Sequence, residues 1–473
     1  MCTAIYVGKN ITTDGSVLLA RCEDDGIERT PILKITAPQE FQSCRYKSKD
    51  WNGTTDFQYP FPRNAFGMIH VPDWPHDNQH VRSCIGINEA GLTVSATQTI
   101  FASEKALSVD PYVTSGMTED DLTNFLLQSN ATADDAVDFL GKAIETEGVA
   151  EGMAAFIADK HHQWWFETGS GHQWMARLLP EDRYMAYANQ GRLTRFRDND
   201  PSCKGSPDLI EFALRNHLLC GNSSEPFNFT KSYSRNDYRD SNYNLPRVRE
   251  IERILGTNGE SLDEGIFQTP SKKVSLVDLR SLLRNYYCGT EHDPYSQTLR
   301  GNEKWRPISI FRTTSAHIVR IRPWLPPEIG EMFYLAFGMP LFSVFLPVYS
   351  GLKNIPTSFS KSPSRTDSES AYWKFRKLQT LAMVNFSDVA KDLIREIESF
   401  ESLLASKEKI FEKEYLSERQ NQPFQANQLL EKYSFSVFNE ALQFVENLTN
   451  ELLHDLTIRT NEKIMLLNGL SSD

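Results

Sequence analysis

Residues 1–25 read MCTAIYVGKNITTDGSVLLARCEDD and contain two short apolar segments, Cys2–Gly8 and Ser16–Cys22. Alternate residues of a β-strand point to opposite faces of its sheet, and in both segments the two faces are apolar. Strands of this kind lie in the middle of a layered structure, where they are covered on both sides. These residues therefore predict two central strands of a layered fold.

Cys2 is the residue of this stretch best suited to chemistry. The initiator methionine is usually removed when the second side chain is small, and removal of Met1 would leave a thiol and a free α-amine on one residue. An α-amine titrates near ~7.7–8.0, so that a useful fraction is neutral at physiological pH and can act as a base toward the thiol. A cysteine at position 2 also occurs by chance, so the interpretation depends on its neighbours.

Arg21 and Asp24 follow the second apolar segment and are the neighbours that matter. A nearby cation stabilises a thiolate, which is the nucleophilic form of cysteine, and Arg21 offers a permanent one. Asp24 could orient the α-amine of Cys2 and tune its protonation. A structural salt bridge explains Arg21 nearly as well as a catalytic role.

The distance between Arg21 and Cys2 depends on how the chain turns between the two segments. With a tight hairpin at Asp14-Gly15, Arg21 would face Gly8, on the order of 20 Å from Cys2. A wider loop over about residues 8–15 would place Arg21 beside Cys2. Because the residues Lys-Asn-Ile-Thr-Thr do not continue a strand pattern, the sequence favours the wide loop.

The chain up to about residue 350 alternates strand patterns with helical ones. Further strands are expected at Ala65–Val71, Ser83–Ile87, Leu92–Thr99, Ala154–Asp159, Gln163–Thr168, His172–Leu178 and Ser315–Ile321. Helices are expected after the N-cap candidate Thr118 and around Ala136–Ile144, where apolar residues recur at helical spacing. This mixture predicts an α+β fold.

The composition changes after Gly351. Residues 353–370 are rich in Ser, Pro and Thr and predict a linker or a long surface loop. Helical patterns follow at Ala371–Met383, Asp388–Leu416 and Ala426–Leu456. We therefore expect a core over residues 1–352, the linker or loop over 353–370, and a helical region over 371–473 that packs on the core.

Composition and charge exclude several classes of protein. The 473 residues are 40% hydrophobic and 24% charged, as in folded soluble proteins, and the formal net charge of −12 comes without a basic run for nucleic-acid binding. The seven cysteines are odd in number and lack CxxC spacing, so reduced thiols are expected rather than a disulfide framework. The first residues lack the pattern of a secretory signal, and a cytoplasmic location is expected.

Two further features have ordinary structural explanations. Met332–Tyr349 is apolar enough to suggest a membrane span, but glycine and proline interrupt it, which favours two buried strands joined by a turn. His161, His162 and His172 lack the HExxH spacing of a metal helix. We therefore expect no membrane partner, no metal and no other cofactor.

Several segments beyond the first strands occur in an order that resembles a known family. They are INEAGLTVSATQT (87–99), DPYV (110–113), HHQWWFETGSGHQWMARL (161–178), YANQGRL (187–193), RPISIFRTTSAHIVRIRP (306–323) and AYWKFRKLQTLAM (371–383). Together with residues 1–25 they resemble the N-terminal nucleophile hydrolases that include penicillin V acylase and conjugated bile salt hydrolase. Within that group the chain is most similar to the bacterial dipeptidases of peptidase family C69. The resemblance covers most of residues 1–385.

The resemblance implies a four-layer αββα sandwich with the nucleophile at the end of a central strand and a C-terminal helical extension beyond it. Cys2 matches the nucleophile, Arg21 the arginine next to the thiol, and Asp24 the carboxylate near the amine. Asn189 matches the asparagine whose side-chain N–H helps to bind the oxyanion. A preorganised donor of this kind typically contributes about 3 kcal/mol to transition-state stabilisation.

Two correspondences are less direct. The acylases place a substrate-facing asparagine at the end of the strand after the Asn-Glu-x-Gly turn, and here that position falls on Thr97 or Gln98. A late arginine of the acylase site corresponds to Arg312 or Arg306. Arg312 is preferred because it precedes a predicted strand.

The sequence thus predicts a cysteine-type dipeptidase that acts on small peptides through a thioester acyl-enzyme. One alternative keeps the fold and mechanism but acts on N-acyl amides of the penicillin V or bile salt type. Another is a non-enzymatic, secernin-like relative. The side-chain preference and the oligomeric state, with a homo-oligomer left open, do not follow from the sequence.

Overall fold

The computed structural model describes residues 2–48, 55–73, 82–98, 100–219, 227–259, 261–296 and 305–468. Within these ranges the strands are β1 (Thr3–Val7), β2 (Val17–Asp24), β3 (Lys34–Thr36), β4 (Gln39–Glu40), β5 (Arg45–Lys47), β6 (Gln58–Pro60), β7 (Asn64–Ala65), β8 (Met68–Pro72), β9 (Ser83–Asn88), β10 (Thr93–Gln98), β11 (Met153–Ala158), β12 (Gln163–Thr168), β13 (Trp174–Leu178), β14 (Tyr184–Tyr187), β15 (Cys203–Gly205), β16 (Phe267–Gln268), β17 (Thr313–Ile321), β18 (Glu331–Phe337) and β19 (Leu346–Tyr349). The α-helices in the same ranges are α1 (Glu104–Val109), α2 (Glu119–Ser129), α3 (Ala133–Glu147), α4 (Leu209–Arg215), α5 (Phe229–Tyr233), α6 (Leu245–Leu255), α7 (Leu276–Leu283), α8 (Pro327–Gly330), α9 (Ala371–Val384), α10 (Phe386–Asn421) and α11 (Pro423–Leu467).

Two large antiparallel sheets form the centre of the molecule. The first sheet has the strand order β16-β14-β1-β2-β17-β18-β19, and the second has the order β15-β13-β12-β11-β10-β9-β8-β3. β1 and β2 are the third and fourth of seven strands, and every residue of both is buried. The prediction that the first two apolar segments form central strands is confirmed.

The two sheets face each other across a continuous apolar core. Tyr6 and Leu19 of the first sheet share this core with Phe156 and Trp165 of the second. The opposite face of the first sheet, which includes Ile5, is covered by α6, α7, α10 and α11. α2 and α3 cover the outer face of the second sheet. The molecule is therefore the expected α+β fold of four layers, αββα, with a C-terminal helical region.

The connection between β1 and β2 is wide. The two strands pair antiparallel with Ala4 opposite Arg21, so residues 8–16 form the loop between them. The wide loop favoured by the sequence is confirmed, and a tight hairpin at Asp14-Gly15 is excluded. Arg21 consequently lies at the same end of the sheet as Cys2.

The apolar segment Met332–Tyr349 consists of β18, a short 3-10 turn and β19, which lie at one edge of the first sheet. The expectation of two buried strands joined by a turn is confirmed. In the described part of the chain, every helix is too short or too polar to cross a membrane.

The C-terminal helices lie against the first sheet. α10 and α11 run antiparallel, with Lys407 paired to Glu440 at 2.5 Å and Arg459 paired to Asp388 at 2.6 Å. Apolar side chains of both helices, such as Phe411, pack onto the helix-covered face of the sheet. The helices thus complete one outer layer of the sandwich.

Residues 353–370 contain no helix or strand, as their composition suggests, but they are fixed to the body. Phe359 is buried and packs on Phe337 of β18 and Phe438 of α11. Its carbonyl oxygen accepts a hydrogen bond of 2.8 Å from the backbone N–H of Leu33. The aromatic side chain of Phe359 thus anchors this segment to the body.

Candidate active site

The thiol of Cys2 lies between the two sheets. Cys2 directly precedes β1, and its side chain points to the same face as Ala4 and Tyr6, which lie in the core between the sheets. Arg21 of β2 shares this face, and its Nη2 lies 3.3 Å from the Cys2 sulfur. Cys2 is only 1% exposed. The structure thus brings together the first two residues predicted for the site.

Arg21 is a buried cation with several fixed acceptors. Its Nη1 donates to the carbonyl oxygen of Cys84 at 2.8 Å and to Ser95 Oγ at 3.2 Å, and its Nη2 is paired with Glu23. Burial opposes the charge, but the neighbouring Cys2 and Glu23 raise the pKa of Arg21 above its ordinary value. Arg21 therefore holds a permanent positive charge in a fixed position at the thiol.

Glu23 is the carboxylate that contacts the thiol, and the sequence reasoning missed it. Its Oε1 lies 3.6 Å from the Cys2 sulfur and accepts a hydrogen bond of 2.7 Å from Arg82. Burial works to raise the pKa of Glu23, but Arg21 and Arg82 outweigh it and hold that pKa far below its usual range. The signal in the sequence was the two-residue spacing from Arg21, which places both side chains on one face of a strand.

Asp24 points to the other face of β2. Its carboxylate is paired with Arg306 and accepts a hydrogen bond of 2.5 Å from the hydroxyl of Thr313. Arg312 binds the backbone carbonyl oxygen of Asp24 at 3.1 Å. Asp24 is thus held by residues that precede and begin β17.

The two candidates for a late arginine occupy different surroundings. Arg306 is buried, with its guanidinium on the carboxylate of Asp24, whereas Arg312 is exposed. Arg306 also lines the cleft described below. The structure therefore places Arg306, rather than the preferred Arg312, among the groups that face the cleft. The sequence preference used proximity to a strand, which does not determine burial.

Asn189 is connected to Cys2 through Arg247, a residue that the sequence reasoning did not single out. Arg247 donates from Nη1 to the carbonyl oxygen of Cys2 at 2.7 Å and from Nη2 to Asn189 Oδ1 at 2.8 Å. Asn244 donates to the carbonyl oxygen of Asn189 at 2.9 Å. Oδ1 of Asn189 therefore accepts from Arg247, and the donor of this side chain is its amide nitrogen. Burial lowers the pKa of Arg247 to about 9, and Arg306 adds to this effect.

A cleft of about 560 Å³ opens beside these groups. Its lining residues are Phe101, Asn189, Arg235, Tyr238, Arg239, Asn242, Tyr243, Asn244, Trp305 and Arg306. Several of them come from a π-helical turn, Asp240–Asn244, that leads directly into α6. π-helical turns are rare and occur often at functional sites. Asn189 thus lines the cleft and is linked through Arg247 to the carbonyl oxygen of Cys2.

The two predicted substrate-binding residues lie at the end of β10. Thr97 is buried and is two residues from Ser95, so it shares the face on which Ser95 contacts Arg21. Gln98 ends the strand, and its side chain lies outside the described residues.

Two solved structures are similar to the chain over most of its length. Penicillin V acylase from Agrobacterium tumefaciens is 10% identical, covers 74% of this chain and 86% of its own, and has a TM-score of 0.31. The conjugated bile acid hydrolase from Clostridium perfringens is 11% identical, covers 75% of this chain and 94% of its own, and has a TM-score of 0.34.

Sequence comparison gives longer and closer matches. A protein of Salmonella dublin named "Probable dipeptidase" is 38% identical over 372 residues, which are 76% of this chain and 84% of that protein. "Probable dipeptidase A" of Streptococcus pyogenes is 32% identical over 402 residues, which are 83% of this chain and 84% of that protein. Residues 1–399 also match the family described as peptidase family C69. This match includes both sheets and every residue of the candidate site, and the chain is a peptidase that belongs to peptidase family C69.

Proposed function

We propose that the chain is a dipeptidase whose nucleophile is the thiolate of Cys2, the first residue after removal of Met1. The relatives of Salmonella and Streptococcus are named as dipeptidases, which supports this substrate class. The observation that carries the proposal is the distance of 3.3 Å between Arg21 Nη2 and the Cys2 sulfur. A fixed cation at that distance favours the nucleophilic form of the thiol.

The reaction is an acyl transfer in two steps. The thiolate attacks the peptide carbonyl carbon, and the Cys2 α-amine carries the thiol proton to the departing amine as the C–N bond breaks. Asn189, with a backbone N–H, donates to the oxygen that becomes negative in the tetrahedral intermediate. Water then attacks the thioester, releases the acyl residue as a carboxylic acid and restores the thiol.

Arg247 supports this chemistry by positioning. One guanidinium binds both the carbonyl oxygen of Cys2 and Oδ1 of Asn189. The separation between the nucleophilic residue and the oxyanion donor is thereby held by a single rigid group. Pre-positioning of this kind lowers the barrier because little reorganisation is needed during the reaction.

The carboxylates of β2 have separate roles in the proposal. Glu23 contacts the sulfur and Arg21, so it balances the buried cation next to the thiol. Asp24 lies on the opposite face with Arg306, at the side of the cleft. We assign to Asp24 the orientation of the α-amine, as the sequence suggested, and to Glu23 the orientation of Arg21.

Substitution of Cys2 tests the proposal. Cys2→Ala is expected to reduce dipeptide hydrolysis by at least about 10⁴-fold with an unchanged fold, and Cys2→Ser to retain at most a little activity. Cys44→Ala, which removes an exposed cysteine, is the matched control and should hydrolyse dipeptides like the unaltered enzyme. Substantial residual activity in Cys2→Ala would reject the mechanism. Turnover of an N-acyl amide such as penicillin V, with none of dipeptides, would support the acylase alternative instead.

A further inference from the structure

The cleft beside Asn189 presents positive side chains and aromatic walls. Arg235, Arg239 and Arg306 line it, and among its lining residues in the described part of the chain none is an aspartate or a glutamate. The aromatic lining residues are Phe101, Tyr238, Tyr243 and Trp305. Such a lining suits a ligand that carries an anionic group and an apolar side chain together.

The three arginines are not equally suited to bind an anion. The guanidinium of Arg306 is occupied by Asp24, by the Tyr243 hydroxyl at 3.2 Å and by the carbonyl oxygen of Pro307 at 2.9 Å. The side chain of Arg239 is 61% exposed, so its position is fixed weakly. Arg235 is the remaining candidate.

Arg235 is held in place but keeps a donor unused. Its guanidinium lies over the ring of Phe101 at 4.1 Å, and its side chain is only 20% exposed. Nη2 donates to Asp240 at 3.3 Å, and Asp237 lies 3.5 Å from Nε. Within the described residues Nη1 makes no hydrogen bond and is not among the buried atoms, so this nitrogen can donate to a ligand carboxylate from the cleft.

The same hydrogen-bond network holds Arg235 and the proposed oxyanion donor. Asn244 donates to Asp240 at 2.5 Å and to the carbonyl oxygen of Asn189 at 2.9 Å. Asp240 in turn binds Arg235. An anion on Arg235 would thus be held at a defined position relative to the reacting carbonyl.

We propose that Arg235 binds the free α-carboxylate of the substrate's leaving residue, with the side chain of that residue against the aromatic walls. This assignment rests on the proposed dipeptidase function. The described lining residues offer no carboxylate to an ammonium group, so we place the amino end of the substrate outside this cleft. The carboxylates near the thiol, Glu23 and Glu119, lie outside the cleft lining. Recognition of a carboxylate one residue beyond the scissile bond restricts the enzyme to substrates with a single leaving residue.

The experiment compares alanyl-phenylalanine with its C-terminal amide, which differs only in the charge that Arg235 would bind. The unaltered enzyme is expected to cleave the free acid with a kcat/KM about 10- to 100-fold higher than that of the amide. Arg235→Gln should lower kcat/KM for the free acid by a similar factor, mainly through KM, and leave the value for the amide nearly unchanged. Arg235→Lys should recover part of the loss, and the matched control Arg239→Gln should keep most of the preference.

Three results would overturn the assignment: equal cleavage of the acid and the amide, an equal loss on both in Arg235→Gln, or a larger loss of preference in Arg239→Gln. Thermal unfolding of Arg235→Gln and Arg235→Lys separates a folding defect from a binding defect. A folding defect also lowers kcat/KM for both substrates together. Absence of any dipeptide cleavage by folded enzyme with a free Cys2 would instead reject the proposed function.

Discussion

Cys2 and Arg21 lie on one face of neighbouring strands, and their contact is the basis of the proposed chemistry. The guanidinium reaches the sulfur, the carbonyl oxygen of Cys84 and Ser95 Oγ with two of its nitrogens. This planar, forked arrangement is specific to arginine, since a lysine ammonium cannot contact all three acceptors from one position.

We expect Arg21→Lys to lower kcat/KM for dipeptides by about 10- to 100-fold while the fold is retained. The charge remains, but the fork that fixes its place at the sulfur is lost. Steady-state kinetics and thermal unfolding together measure the effect. Arg177→Lys, at a partly buried arginine paired with Asp263, is the control and should leave kinetics unchanged. Full activity of Arg21→Lys would show that the contact with the sulfur is structural.

Asn189 and Arg247 should behave as one unit in a double-mutant cycle. Asn189→Ala is expected to reduce kcat by about 100- to 1,000-fold with little change in KM, because the donor acts on the transition state. If Arg247 works by holding Asn189, kcat of the double variant Asn189→Ala/Arg247→Gln is reduced by far less than the product of the two single reductions. Fully multiplicative losses would contradict the positioning role.

Part of the site could be predicted at the residue scale. Cys2 and Arg21 could be predicted because they belong to one strand pair, whose register follows from the loop between the strands. Glu23 could have been predicted from the same alternation, but its neighbour Asp24 was chosen instead. Arg247 could not be predicted, because it lies far along the chain on α6 and only the tertiary fold brings it to the carbonyl oxygen of Cys2.

α10 is the element whose attachment can be tested most directly. Glu401 is buried and accepts two hydrogen bonds from Arg284, at 2.7 and 3.0 Å, and one from the backbone N–H of Phe345 at 2.8 Å. Removal of one partner of such a pair leaves an uncompensated buried charge.

Glu401→Ala is therefore expected to destabilise the protein by about 3–5 kcal/mol, measured by chemical or thermal unfolding. The control is Asp392→Ala in the same helix, whose exposed pair with Arg395 at 2.9 Å should contribute less than about 1 kcal/mol. Equal effects of the two substitutions would mean that α10 is not attached through Glu401.

Elements with a clear apolar pattern were predicted, and short or irregular ones were not. The strands that include Ser83–Ile87 and Gln163–Thr168 are present, and β-branched or aromatic residues such as Ile85 and Trp165 favour a strand in both segments. β14, with four residues, was missed as a strand although it pairs with β1. The Ser- and Pro-rich composition of residues 353–370 also concealed the anchor Phe359, since one buried side chain leaves no periodic pattern.

The four-layer architecture buries several carboxyl groups, which makes stability depend on pH. Burial raises the pKa of Glu167 to about 7 from an ordinary value near 4.5. Glu167 accepts hydrogen bonds from the backbone N–H groups of Arg192 and Leu193, and so fixes the chain just after Asn189. The lowered pKa of Glu23 makes stability depend on pH in the opposite direction.

The sign for Glu167 follows from proton binding. Between about pH 4.5 and pH 7 the folded protein binds more protons at this site than the unfolded chain, so the contribution of Glu167 to stability falls as pH rises. The free energy of unfolding of the unaltered protein, relative to Glu167→Gln, should therefore decrease by on the order of 3 kcal/mol from pH 4.5 to pH 7. Parallel pH series of thermal unfolding measure it. A constant or rising difference would contradict the burial of an ionisable Glu167.

At the scale of the whole molecule, the layered arrangement followed from the two-faced apolar character of β1 and β2 and from the family resemblance. The cleft did not follow, because its walls come from the segment after β10, the loop after β14, the π-helical turn before α6 and the segment before β17. These pieces are distant in sequence and carry no shared periodic signal. Only the packing of the two sheets and their helices brings them together.

Intact-mass analysis after incubation with a thiol-reactive dipeptide analogue shows at once whether Cys2 is the first residue and whether it is the nucleophile. We expect a mass reduced by one methionine and increased by one label, with the label on Cys2 by peptide mapping and none on the Cys2→Ala variant. An active enzyme that retains Met1, or a label that inactivates the enzyme from another cysteine, would contradict it.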